Sequence, residues 1–195
     1  MKPIVTTFLL LSVAVCQAQV SFGPRVGLNI SRTNFSSDEF STSYRPDFYA
    51  GGFVSYSVTE KFSLRGELFY SREGGKEVRL NDGASGKLMM SYVQLPVLAR
   101  FHFNGNIFAE AGPQLGYLVS AKEEFDGEHL DIMEFYKRSD FRFPVGVGYE
   151  FTGWGLKGVG VEFRYSFSFS AINKEPVGGD DLKNRVFSVG ATFRL

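Results

Sequence analysis

The chain has 195 residues with 21 basic and 21 acidic side chains, and this balance gives no sign of the basic surface that nucleic-acid binding requires. A single cysteine excludes a disulfide-stapled scaffold, while 16% aromatic residues and 22 glycines are compatible with a β-rich chain. The length suits one domain. We therefore expect a single domain with no nucleic-acid partner.

The first eighteen residues have the pattern of an export signal. Lys2 precedes an apolar run from Ile4 to Val15, and the small residue Ala18 follows shortly after. The run is too short to span a bilayer as a helix, so the pattern predicts a secretory signal peptide over 1–18 and a mature domain over 19–195. A buried N-terminal helix and a lipoprotein signal ending at Cys16 are the alternatives, and the bulky Val15 disfavours the second.

Eight later segments alternate apolar residues with small or polar ones, which is the period of a strand with one apolar face. In chain order these predicted strands are Ser21–Ser31, Asp47–Val58, Lys61–Ser71, Met89–His102, Ile107–Val119, Phe141–Phe151, Val159–Ser170 and Arg185–Leu195. Most have about the 9–11 residues that a tilted strand needs to cross a bilayer. No stretch after the signal is long and apolar enough for a transmembrane helix.

The connections alternate between short turns and long loops. The short ones lie at 59–60, 104–106 and 152–158, and the long ones at 32–46, 72–88, 120–140 and 171–184. This alternation is typical of outer-membrane barrels. We predict an all-β, eight-stranded antiparallel up-and-down transmembrane β-barrel, with short periplasmic turns and long extracellular loops, located in the cell outer membrane as a monomer surrounded by outer-membrane lipid.

The distribution of charge decides which face of the strands points outward. A soluble lipocalin-like barrel is the alternative and would place the apolar face inside. One alternate set carries almost no charge on any strand, and its aromatic residues cluster at the strand ends, as in the two interfacial belts of membrane barrels. We therefore expect this set to face lipid. Arginine in place of Val147 should destabilise the barrel, and serine in place of Gly148 should be much milder.

The other alternate set brings ten charged residues into a narrow interior. These predicted lumen charges are Arg25, Arg65, Glu67, Arg100, Glu110, Arg142, Glu150, Glu162, Arg164 and Arg194. An eight-stranded interior is only wide enough to be filled by side chains, so the charges must pair. The pattern predicts one connected network that closes the lumen, and a gated proton or ion path is the functional alternative.

Three segments carry a family resemblance. They are Phe22–Asn29 (FGPRVGLN), Tyr92–Phe101 (YVQLPVLARF) and Phe108–Tyr117 (FAEAGPQLGY). The chain resembles the PorT-like outer-membrane β-barrel family, which is widespread in Bacteroidetes. The resemblance implies an outer-membrane barrel and offers no catalytic motif. One member type takes part in protein secretion, but no residue here carries that role over.

The sequence contains no clear catalytic or metal-binding motif. His102 and His129, the two histidines, are expected at opposite ends of the barrel, which argues against a lipase or acyltransferase site and against zinc. The third loop is acidic and could bind calcium, but it lacks the spacing of a dedicated calcium loop and is better interpreted as solvated charge. We expect no enzyme activity, no catalytic or metal-binding residues and no cofactor.

The remaining candidate for function is the long third loop. Its predicted contact residues are Phe125, His129, Phe135 and Tyr136. Aromatic residues among charges favour a contact surface for a protein partner whose identity the sequence does not give, and extension of the fifth and sixth strands above the membrane is an equally simple explanation. We therefore expect a structural or interaction role through the extracellular loops. The alternatives are a narrow channel for small solutes and a lipid-modifying barrel enzyme.

Overall fold

A computed structural model describes residues 19–34, 44–78, 85–103, 105–125, 128–153, 155, 157–175 and 181–195. The predicted signal peptide over 1–18 lies outside these residues. Ten strands are present in them: β1 Val20–Asn34, β2 Arg45–Ser57, β3 Phe62–Val78, β4 Ser85–His102, β5 Ile107–Ala111, β6 Gln114–Phe125, β7 Glu128–Asp131, β8 Ser139–Glu150, β9 Val159–Ser168 and β10 Lys183–Phe193. A single 3-10 turn follows β7 at Met133–Phe135.

The strands form one closed antiparallel barrel. Each strand of the wall pairs with its neighbour in sequence, and β1 pairs with β10, placing Arg25 opposite Thr192 and Val26 opposite Ala191. The wall has eight strand positions, because β5 and β6 occupy one of them and β7 lies in the third loop. The predicted eight-stranded up-and-down barrel is confirmed.

The predicted fifth strand is interrupted at Gly112 and Pro113. Proline has no N–H to donate to a strand ladder, so it divides the strand into β5 and β6. Both parts still pair with β4, and the Val97 N–H donates to the Pro113 carbonyl at 2.9 Å. The register with β4 is the same on both sides of the interruption, so the barrel remains closed.

Several strands extend further on the long-loop side than the sequence predicts. Strand β3 runs to Val78 where Ser71 was expected to end it, and β4 begins at Ser85 in place of Met89. Charged residues obscure the apolar alternation there. Water replaces lipid above the membrane, so an apolar outer face is no longer needed for the ladder to continue.

The two faces of the wall have opposite chemistry. Outward-facing Leu28 and Phe163 are 64% and 47% exposed, whereas inward-facing Arg25 is 1% exposed. This arrangement is the reverse of a soluble barrel and confirms that the uncharged set faces outward.

No helix among the described residues is long and apolar enough to cross a membrane.

The short turns close tightly at the periplasmic end. The Val58 N–H donates to the Phe62 carbonyl at 2.9 Å, and the Thr59 hydroxyl accepts from the Phe62 N–H at 3.0 Å. Gly105 has a φ of 76°, in the left-handed region that favours glycine. These turns hold the strand ends together at one rim, while the opposite rim carries the long loops.

Candidate functional site: the charged interior and the third loop

The periplasmic half of the lumen contains a network of arginines and glutamates, which we call the central network. Its members are Arg25, Arg65, Glu67, Arg100, Glu110, Glu150, Glu162 and Arg164. They come from β1, β3, β4, β5, β8 and β9, always from inward positions of the alternation. The central network therefore joins most of the barrel wall across its axis.

Arg164 lies at the centre of this network. Its guanidinium donates to both carboxylate oxygens of Glu67, at 2.8 and 3.1 Å, and to Glu110 at 2.5 Å. All three side chains are at most 2% exposed. A two-point pairing of guanidinium with carboxylate is the strong form of this interaction, so Arg164 holds β9 to β3 and β5 across the lumen.

Glu162 and Glu110 extend the network around Arg164. Glu162 accepts from Arg25 at 2.5 Å, and Glu110 accepts from Arg100 at 2.8 Å. Glu162 also contacts Arg164 at 3.4 Å, although the two share one strand. The main partners of Glu162 and Arg164 thus lie across the barrel.

Inward glycines make space for these long side chains. A Cβ on Gly27 or Gly190 would collide with the Tyr49 ring, and one on Gly148 with the Phe108 ring. Tyr49 and Phe108 in turn stack on arginines: the Arg25 guanidinium carbon lies 4.4 Å from the Tyr49 ring centre. Because glycine has no side chain, these positions leave space that aromatic and charged side chains of other strands fill.

The ten predicted lumen charges do not form one network. Arg142 lies apart and pairs with Glu73 and Asp140, each at 2.7 Å, in what we call the upper cluster. No hydrogen bond or ion pair between described side chains joins it to the central network. Arg194 is half-exposed at the periplasmic rim, 3.6 Å from Glu150. The expected single network is thus wrong for Arg142.

Sequence reasoning missed Glu73 and Asp140. Glu73 lies beyond Ser71, the predicted end of its strand, and Asp140 lies just before Phe141, the predicted start of its strand. Both keep the inward parity of their strands, because Glu73 continues the series of Glu67 and Asp140 precedes Arg142 by two. Extending the alternation by two residues would have identified them.

An apolar cluster closes the lumen above the upper cluster, at the extracellular end. Its buried members are Leu88, Met90, Tyr92, Leu118, Ala121, Ile172 and Leu182. They come from β4, β6 and the segment around the fourth long loop. The Tyr92 hydroxyl accepts from Asn184 at 3.2 Å and so connects the apolar cluster to the polar groups below.

The third loop packs onto this apolar cluster. Ile132, Met133 and Tyr136 cover it from above. The Lys137 N–H donates to the Ile172 carbonyl at 2.7 Å, and the Lys174 N–H donates to the Phe135 carbonyl at 3.0 Å. The described part of the third loop is therefore bonded to the segment that follows β9.

The predicted contact residues separate into different environments. His129 and Phe135 are exposed, and Tyr136 is half-buried against the apolar cluster. Leu130, which the sequence did not single out, is 55% exposed beside them. Phe125 ends β6, and its side chain lies outside what the structure describes.

The two histidines lie at opposite ends of the barrel. His102 is near the periplasmic rim, 3.8 Å from Glu150, and His129 is in the extracellular β7. Among the described residues, no three His, Cys, Asp or Glu side chains are grouped so that they could hold a metal ion. Asp126, one of the acidic residues of the third loop, lies outside those residues.

A closed barrel with an uncharged exterior and a charged, filled interior defines a small transmembrane barrel. The outer membrane protein beta-barrel domain family model matches residues 17–173. The chain therefore belongs to this family of outer-membrane barrels. None of the curated proteins matches the sequence.

Solved structures of outer-membrane proteins share the fold. Neisserial surface protein A is similar with a TM-score of 0.56 at 14% identity, over 90% of this chain and 99% of that one. Ail, the attachment invasion locus protein of Yersinia pestis, is similar with a TM-score of 0.50 at 15% identity, over 91% and 99% of the two chains. At these identities the likeness establishes the fold alone.

Proposed function

We propose that this barrel is a non-conducting outer-membrane protein that acts as a structural or interaction module through its extracellular loops. The observation that carries the proposal is the filled lumen. Glu67, Arg164 and Glu110 meet across the barrel axis with at most 2% of their side chains exposed. An interior of this width is normally occupied by side chains. In this proposal the barrel neither transports a solute nor catalyses a reaction.

The extracellular end supports an interaction role. The third loop is fixed by backbone hydrogen bonds to Ile172 and Lys174, so its exposed residues are presented by a preformed segment. Phe135 and Leu130 are 60% and 55% exposed beside charged neighbours. Apolar side chains on a pre-organised surface lose little entropy on binding, which favours recognition of a protein partner.

A conductance measurement tests the closed lumen. The purified barrel should give no sustained currents in a planar lipid bilayer. A double variant, Glu67→Ala with Arg164→Ala, removes a matched pair from the centre and serves as the positive control, because it should open an aqueous path. Sustained currents from the unmodified protein would contradict the closed lumen and favour a narrow channel for small solutes.

Site-specific crosslinking tests the interaction role. A photoreactive residue replaces Phe135 in intact cells, and Phe103, which is 53% exposed near a periplasmic turn, provides the matched control. We expect a discrete protein adduct from position 135 that is absent from position 103. An adduct only from position 103 would move the contact surface to the periplasmic turns.

We also propose that, within the matched family, the chain belongs to the PorT-like group. The matched family is broader, and the segments Phe22–Asn29, Tyr92–Phe101 and Phe108–Tyr117 favour the PorT-like group within it. The signal peptide over 1–18 likewise remains a prediction, consistent with the location of the family.

A further inference from the structure

The periplasmic end of the lumen contains a small polar cavity of about 50 Å³. Arginine and hydroxyl side chains dominate its lining, including Ser55, Ser63, Arg65, Arg100, Thr192 and Arg194. The cavity has room for a few water molecules. The cavity is separate from the extracellular surface to which the proposed function refers.

Positive charge exceeds negative charge around this cavity. The central network together with Arg194 has one more arginine than glutamate. Among the described lining residues, Glu150 is the single carboxylate, and it already accepts from Arg100 at 2.9 Å. The upper cluster has the opposite imbalance, because Glu73 and Asp140 share one arginine. The surplus of cations is thus located at the periplasmic end.

Arg65 has donors that the protein does not use. It is 1% exposed, and its guanidinium lies over the Phe53 ring with 3.7 Å between the carbon and the ring centre. Its Nε is 2.9 Å from Glu67 but is not aligned for a hydrogen bond, and Nη2 is also buried without an acceptor. A buried guanidinium without its full set of acceptors is costly, so a ligand that supplies oxygen acceptors would be stabilising.

Hydroxyl groups complete the lining. Ser55 lies opposite both Ser21 and Arg65 in the sheet, and the Ser63 hydroxyl is buried without a hydrogen-bond partner. Short hydroxyl side chains leave space that longer residues would fill, and each can donate one hydrogen bond. Planar guanidinium donors beside hydroxyl donors match the oxygen atoms of a small oxyanion.

We propose that this cavity is a binding site for a small oxyanion of the phosphate or sulfate class. The surplus positive charge disfavours a metal cation, and the polar lining disfavours an apolar ligand. An anion there would neutralise the excess charge and lie against the guanidiniums of Arg65 and Arg100, which line the cavity. The lining includes the half-exposed Arg194 and the β8–β9 turn residue Gly158, so entry would be from the periplasmic side.

Calorimetric titration of the folded barrel in detergent micelles tests the site. Inorganic phosphate and then sulfate are titrated at constant ionic strength set by chloride. We expect saturable binding with one anion per barrel. Ser55→Leu fills the cavity without changing charge and should weaken binding at least tenfold, and Arg194→Gln should weaken it several-fold. Arg138→Gln removes an exposed cation at the opposite rim and should leave binding unchanged.

Heat-dependent gel mobility shows whether each variant is folded. If Ser55→Leu fails to fold, Arg194→Gln provides a second variant, because its position is half-exposed. Absence of saturable phosphate and sulfate binding to the unmodified barrel would overturn the proposal. Equal affinity in folded Ser55→Leu or Arg194→Gln would overturn it as well, because binding would then be located elsewhere on the protein.

Discussion

The two halves of the lumen are filled by different chemistry. The periplasmic half holds the central network, in which Glu67 and Glu162 each contact three arginines. The extracellular half holds one arginine with two carboxylates, the amides of Gln94 and Gln114 at the same level, and the apolar cluster around Leu118 beyond them. Charge pairs thus close the barrel on one side and hydrophobic packing closes it on the other.

The surroundings of each half of the lumen determine whether charged or apolar side chains fill it. The charged half lies where the outer wall must be uncharged, so polar side chains can only point inward, and there they must pair. At the extracellular end the third loop can fold back over the lumen, and its apolar residues can be buried there. The periplasmic turns are too short to reach into the lumen, so charged and hydroxyl side chains fill that end.

Removing one carboxylate from each half should give the largest contrast. Glu67→Gln leaves Arg25, Arg65 and Arg164 without their shared anion and should destabilise the barrel by about 3–5 kcal/mol. Glu73→Gln should cost only ~1 kcal/mol, because Asp140 still pairs with Arg142 and the excess negative charge is relieved. Urea-induced unfolding in liposomes measures both. Similar losses would indicate that the two halves are equally dependent on ion pairs.

Truncating the apolar cluster should have the next largest effect. Leu118 is fully buried in it, and Leu118→Ala should cost about 3 kcal/mol through the cavity that it leaves. Leu115→Ala on the same strand is the matched control, since Leu115 faces outward and lipid chains can fill the space. We expect less than half the loss there, measured by the same unfolding transition. Equal losses would argue against a packed extracellular closure.

The smallest effect should come from an ion pair on the surface of the extracellular half. The Lys87 ammonium donates to Glu124 at 3.0 Å and lowers the pKa of that carboxyl from its ordinary value. The attraction exists while Glu124 is ionised and is lost as the pH falls through its lowered pKa. Lys87→Gln should therefore raise the Glu124 pKa, as followed by side-chain NMR.

The same variant should leave the unfolding transition unchanged, since exposed pairs contribute little. Lys122→Gln on the same outer edge is the control and should not move the Glu124 pKa. A large loss of stability in Lys87→Gln would show that the extracellular rim depends on its surface charges more than on the apolar cluster beneath it.

One local contact at Gly148 is not visible in the sequence. Serine there was expected to be much milder than arginine at Val147, because Gly148 faces a polar interior. The structure places the Phe108 ring against Gly148, where an added side chain would collide. Parity along a strand identifies the face that a residue occupies, but the space available on that face depends on the opposite wall.

The sequence by itself determined the eight strands of the wall, apart from their extracellular ends and the break at Gly112 and Pro113, and it determined which face of each strand points inward. Alternation is a local property, so Arg164 and Glu67 could be assigned to the interior before their partners were known. The closed barrel, the outward apolar face and the separation of the two histidines follow from the same pattern.

Only the tertiary structure decided which inward residues meet. Arg164 and Glu67 are 97 positions apart, and closure of the wall together with the stagger of its strands sets their heights along the barrel axis. The same closure separates Arg142 from the central network, joins it to Glu73 and Asp140, and seats the third loop on Leu118. Pairing across a lumen is a non-local outcome of strand register, and a period of two residues does not encode it.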